Sequence, residues 1–270
     1  MQSAGSSCDG DLRPVTPEEG AGARRPRPQA ACLPVGPISP FDLACASYLY
    51  EAMTDYARSL DRLRTRIGPG NDLDPAVEEH RLALLKFLND WGCRSLATDW
   101  HWLASTKLER WYCGARGRLA SLEDPPWPSG ARSCRDLADV FDELSTCVAA
   151  RKMRKGRELL VSYGPTATAK TLFILRPALF PAWDGPIRCE LGYQGDGASY
   201  AQFTADVHAK IAESAECCKQ SGRILESLPR VLGRPTYTTL AQLVIDYYWI
   251  TITRSVKLRG REEISRWLSW

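Results

Sequence analysis

The sequence predicts an all-α protein folded as two helical lobes with a cleft between them. Three observations lead there. Apolar residues recur at three- and four-residue spacing through most of the chain. Capping residues, Pro and Gly interrupt that spacing at helix-length intervals. The one string rich in strand formers, Tyr247-Tyr248-Trp249-Ile250, is embedded in flanks that read as helix.

The elements follow in order. Residues 1–38 are rich in Pro, Gly, Ser and Ala and cannot bury enough apolar surface to offset their chain entropy, so they read as a disordered leader. Ser39-Pro40 is an N-cap with Pro in the first turn, opening a helical pattern (Leu43, Leu49, Met53, Tyr56, Leu60, Leu63, Ile67) that Gly68 ends. Asp74-Pro75 opens a second helix carrying Leu84, Leu88 and Trp91 and closing at Gly92. Ser95 starts a third with Trp100, Trp102 and Trp111, and the Pro-rich loop around Trp127 divides the lobes, 39–130 and 131–270. Ser133 is expected to cap the next helix. Further helices are expected over 151–163, 168–175, 184–191, 199–219, 223–232, 238–253 and 261–270. No internal repeat is visible.

Composition narrows the function classes. With 270 residues, 44% hydrophobic and 25% charged, the chain is long and apolar enough for a real core, which excludes a rod or a bulk-disordered protein. No apolar run approaches the roughly 20 residues of a spanning helix. The amino terminus carries no basic segment followed by an apolar stretch, so we expect a cytoplasmic monomer with reduced thiols. The ten cysteines form no CxxC pair and the three histidines are scattered, so no metal site is expected.

The formal charge of +3 argues weakly against a polyanion partner, but its distribution does not. Residues 151–188 hold eight basic and two acidic side chains, leaving the remainder of the chain at −3. Five of the cations, Arg151, Lys152, Arg154, Lys155 and Arg157, fall within seven residues. A turn of Gly and small residues follows, Gly164-Pro165-Thr166-Ala167-Thr168-Ala169, and Lys170 opens the next helix. Helix, turn and helix would form a hairpin whose free N–H groups and positive helix end grip an anion. Beyond it, Pro181-Ala182-Trp183-Asp184 places Asp184 at an N-cap with Pro186 behind it.

This arrangement resembles the helix-hairpin-helix motif of DNA glycosylases, in the prokaryotic 8-oxoguanine-glycosylase-like branch, some members of which act in anti-phage defence. The resemblance spans 151–188, extends more weakly over 240–253, and does not reach 1–130. Two departures stand out. Asp184 lies fourteen positions after Lys170, about one helical turn fewer than usual, and the second Gly of the hairpin is replaced. The resemblance implies a DNA glycosylase that flips and excises a modified base from double-stranded DNA, leaving an abasic site. It implies Asp184 as the essential carboxylate and Lys170 as a nucleophile conferring AP-lyase activity. A hypermodified, glucosylated cytosine and an oxidised purine both remain open as the base.

The residue types suit that chemistry. Breaking an N-glycosidic bond develops positive charge on the sugar, which a fixed carboxylate stabilises. A desolvated lysine has a lowered pKa and can attack the anomeric carbon. Neither role requires a metal or cofactor. Gly164, Thr166, Thr168, Arg151, Lys152, Arg154, Lys155 and Arg188 are the expected DNA-backbone contacts. A flipped base needs apolar or aromatic walls, for which Trp183, Trp100, Trp102, Tyr247 and Trp249 are candidates, with Asp246 as a polar contact. Trp91 and Trp111 read as core. Two rivals stand beside this: a non-catalytic DNA-binding module using the same hairpin, and a helical protein-interaction domain.

Overall fold

A computed structural model describes residues 36–68, 72–94, 96–122 and 131–258. The expected leader up to 35, the Pro-rich loop around Trp127 and the helix expected over 261–270 lie outside the described residues. Those described are mostly helical, with ten α-helices and one two-stranded sheet.

Helix α1 (Pro40–Met53) begins as expected: the Ser39 hydroxyl accepts from the Asp42 N–H at 3.0 Å, with Pro40 in the first turn. The expected single helix from 39 to 67 is two. Thr54 is extended (φ −135°), and its hydroxyl donates to the Tyr50 carbonyl, one of the last α1 acceptors. Helix α2 (Tyr56–Ile67) then ends at Gly68, whose φ of 95° only glycine adopts freely. Asp74 and Pro75 form a turn before α3 (Glu78–Asp90), and the Asp74 carboxylate accepts from the Ala76 N–H. A short 3-10 turn, Thr98–Trp100, leads into α4 (His101–Ser121). Ser133 caps nothing, because α5 (Ala131–Thr146) already includes it.

The largest departure lies over 151–163, where a β-hairpin replaces the expected helix. Strand β1 (Val148–Arg154) pairs antiparallel with β2 (Arg157–Ser162), Arg154 opposite Arg157. The cause is the turn: Lys155 and Gly156 both take positive φ, 51° and 74°, as a two-residue hairpin loop requires. Helices α6 (Gly164–Leu175), α7 (Gly185–Glu190) and α8 (Gly197–Gln220) follow. The short α9 (Leu228–Val231) precedes α10 (Leu240–Tyr248), which passes directly into a π-helical turn, Trp249–Thr253.

The expected lobes share one hydrophobic core. Helix α1 packs on α10, so the start of the first lobe lies against the end of the second. The stretch just before α1 is tied down too: the Ile38 N–H donates to Ser214 and the Gly36 carbonyl accepts from Lys210, both on α8. Helices α5 and α8 approach so closely that a Cβ on Gly197 would stand 2.0 Å from the Ala138 carbonyl oxygen. No helix among the described residues is long and apolar enough to cross a membrane, and the eight described cysteines are free thiols.

Candidate active site

Helix α6 is half-buried at both ends and buried from Ala167 to Phe173. Its first residue, Gly164, has φ of 70°, and no side chain caps the helix start. Counted from there, Lys170 lies in the second turn of α6, not at the helix opening as expected. That position draws the side chain into the protein, leaving Lys170 8% exposed. Its ammonium donates to the Trp91 carbonyl and stands 4.4 Å from the centroid of the Trp91 ring. Burial pushes the Lys170 pKa down, against smaller opposing effects of Cys93 and Asp184.

Asp184 comes from the next element. It N-caps α7 as expected, Oδ1 accepting from the Ile187 N–H at 2.8 Å. A second donor arrives from across the chain: the Thr253 hydroxyl lies 3.2 Å from Oδ1 and 3.0 Å from Oδ2. Thr253 closes the π-helical turn after α10, and the extra residue per turn in such a segment re-aims the side chains beyond it. The carboxylate is thereby oriented by two rigid elements.

Lys170 and Asp184 line one cavity of about 730 Å³. Among the described residues no ion pair joins them. The remaining wall includes an aromatic group, Tyr50, Tyr56, Trp91 and Trp249, together with the charged residues Asp55, Asp90 and Arg94. Trp91 donates its indole N–H to the Tyr50 hydroxyl at 3.0 Å, and Trp249 meets the Tyr50 ring edge-on at 5.1 Å. The Tyr56 ring lies 4.8 Å from Trp91, and the start of α6, Gly164 to Ala167, forms part of the rim. A volume of this size is in the range of small-molecule sites, about 300–1,000 Å³.

The structure redistributes the expected site residues. Trp249 lines the cavity and so does Thr166, but Thr168 is buried in α6 with its hydroxyl unpartnered and cannot reach a DNA backbone. Trp183 contributes an edge to the wall, yet it is 1% exposed, its ring wedged among Phe141, Tyr200 and Phe203 and its N–H donated to the Pro165 carbonyl. It is core, not a free stacking plate. Trp100 and Trp102 lie outside the cavity, tilted together with centroids 5.9 Å apart, Trp102 exposed and Trp100 beneath the Arg151 guanidinium. Arg188 points its guanidinium toward the Tyr193 carbonyl.

Asp246 and Tyr247 do not enter the cavity either. Tyr247 is half-buried against the core. Asp246 is buried behind the cavity wall, accepting from Ser47 at 3.1 Å, while Arg234 donates to Ser47 and pairs with Glu51. Burial pushes the Asp246 carboxyl up to about 8, the Ser47 hydrogen bond and Arg234 opposing it. Among the cations of the basic run, Lys152, Lys155 and Arg157 are exposed on the β-hairpin, and Arg151 is paired with Glu158 at 3.1 Å. Arg154 occupies the last position of β1.

Sequence reasoning missed Tyr50, Tyr56 and Thr253 and assigned Trp91 to the core. Trp91 bonds Tyr50 across 41 residues and Thr253 bonds Asp184 across 69, so no local signal marks either pair. No family model, curated protein or solved structure matches the chain.

Proposed function

We propose that the protein is a DNA glycosylase that flips a modified base out of duplex DNA and excises it, leaving an abasic site. The observation that carries this reading is the pair Lys170 and Asp184: a desolvated amine and an oriented carboxylate lining one partly aromatic cavity without pairing to each other. The flipped base would lie against Trp91, Tyr50 and Trp249, and the sugar between the two charged groups. As the N-glycosidic bond breaks, its electron pair leaves with the base, and Asp184 stabilises the cationic sugar. The neutral Lys170 amine then bonds the anomeric carbon and loses a proton, opening of the sugar ring with protonation of its oxygen yields a Schiff base, and water hydrolyses that to the abasic site and free Lys170.

In this reading the protein works as a cytoplasmic monomer, in anti-phage defence or base-excision repair. A glucosylated cytosine of phage DNA is the leading candidate for the base, on the resemblance to anti-phage glycosylases alone. The β-hairpin before Gly164 means that any backbone grip comes from a strand–turn–helix arrangement, not from a helix on each side. The test pairs two variants on DNA containing candidate modified bases. Alkali should cleave DNA treated with wild type but not with Asp184→Asn, and borohydride should trap wild type but not Lys170→Ala on DNA. Equal alkaline cleavage by wild type and Asp184→Asn refutes the reading.

A further inference from the structure

The β-hairpin takes no part in the cavity beyond its base, where Ser162 reaches the rim. From Ser162 to Arg157 the strand climbs five residues, about 17 Å at about 3.3 Å per residue, so its turn stands well clear of the cavity mouth. The strand register divides its side chains between two faces. Arg151, Met153, Glu158 and Leu160 share one face, and Lys152, Arg157 and Leu159 lie on the other. Met153 is 70% exposed and Leu160 63%, neighbours on one face of a ribbon that also exposes Leu159 (44%) on the other and is otherwise mostly charged. Among the described residues Lys152, Lys155 and Arg157 make no ion pair.

Exposed apolar side chains on a two-stranded ribbon with open edges ordinarily invite a second copy. Here a second ribbon would bring the same five cations against these five, with only Glu158 to offset them in each. Charge therefore selects a polyanion. We propose that the β1–β2 ribbon is a duplex-DNA arm: Lys152, Lys155 and Arg157 follow the phosphate backbone outward from the cavity mouth, and Met153 and Leu160 wedge into the base stack. Two-stranded ribbons fit DNA grooves, and apolar side chains of this kind unstack base steps. An arm that unstacks the duplex lowers the cost of moving a nucleotide into the neighbouring cavity. The proposal rests on the glycosylase reading and adds to it the element that opens the helix.

The experiment uses full-length Asp184→Asn protein, which should bind without consuming DNA, and a short duplex carrying a tetrahydrofuran abasic-site analogue beside a 2-aminopurine. Fluorescence anisotropy across a salt series gives the number of phosphate contacts. Changing Lys152, Lys155 and Arg157 to Gln should lower the log–log salt slope by about 2 to 3, at about 0.9 per contact. Changing Met153 and Leu160 to Ser should leave that slope intact and abolish the rise in 2-aminopurine fluorescence on binding. All five positions are exposed, and matching thermal melts establish that the variants fold.

Unchanged slope and unchanged 2-aminopurine signal overturn the arm, and wild-type base release measured in parallel on modified DNA then leaves the glycosylase reading standing. Absence of duplex binding together with absence of base release overturns both. If Met153→Ser with Leu160→Ser turns a dimer into a monomer in sedimentation while DNA binding is unaltered, the ribbon is an interface between copies and the proposal is wrong.

Discussion

Replacing Thr253 with valine removes one hydroxyl and little else, because both side chains are β-branched and nearly equal in volume. The hydroxyl donates to both oxygens of Asp184 and is half-buried. A hydrogen bond to a charged group contributes about 1.5–3 kcal/mol, and the Ile187 N–H still holds Oδ1 after the change. The lower end of that range therefore applies. If the bond holds the carboxylate where sugar charge develops, the loss falls on the chemical step, and about 1.4 kcal/mol is tenfold in rate. Single-turnover base release at saturating protein should slow about tenfold in Thr253→Val, with DNA affinity unchanged and Thr253→Ser near wild type. In an Asp184→Asn background the same change should add almost nothing, because the two residues act as a unit. A wild-type rate for Thr253→Val, or an equal loss in both backgrounds, refutes the assignment.

Other expectations follow from the same geometry. Lys170→Met keeps the aliphatic stem in its buried slot and should abolish borohydride trapping while thermal stability stays close to wild type. In the wild type, burial lowers the Lys170 pKa, so the neutral amine gains at the expense of the ammonium as pH rises; trapping should plateau clearly below the ordinary lysine value of about 10.4, and a plateau only there argues against the buried amine. For Asp246 the folded pKa of about 8 lies above the unfolded 3.8, so between those values the folded state holds the extra proton. Stability then falls as pH rises through that window, by about 1.4 kcal/mol per pH unit, and urea titrations should show Asp246→Asn flattening the slope. Gly197→Ala forces a methyl against the Ala138 carbonyl, and equilibrium unfolding should register a loss of about 1–3 kcal/mol.

What could be read in advance were the features written locally. Ser39 and Asp184 announce N-caps because each is a short polar side chain with Pro one or two positions on, in the first turn, and both caps form. The β-hairpin went unread for a physical reason: its cations and exposed apolar residues carry no clean two-residue alternation, and only Lys155-Gly156 signals the turn. The break at Thr54 was hidden because apolar spacing continues across it from α1 into α2. At the candidate site, the segment holding both charged residues was legible. Of its aromatic wall only Trp249 was legible, because Tyr50 and Trp91 reach it only through tertiary packing. Trp183 misled for the opposite reason: adjacency to Asp184 in sequence places it on the extended stretch before α7, with its ring turned into the core.

The most direct test of the central claim is mass spectrometry of free bases released from modified and unmodified phage DNA by wild-type protein and by Asp184→Asn. The account predicts a modified base freed by the wild type alone, with matching abasic sites in the DNA. No free base from any modified DNA, or the same yield from Asp184→Asn, would contradict it.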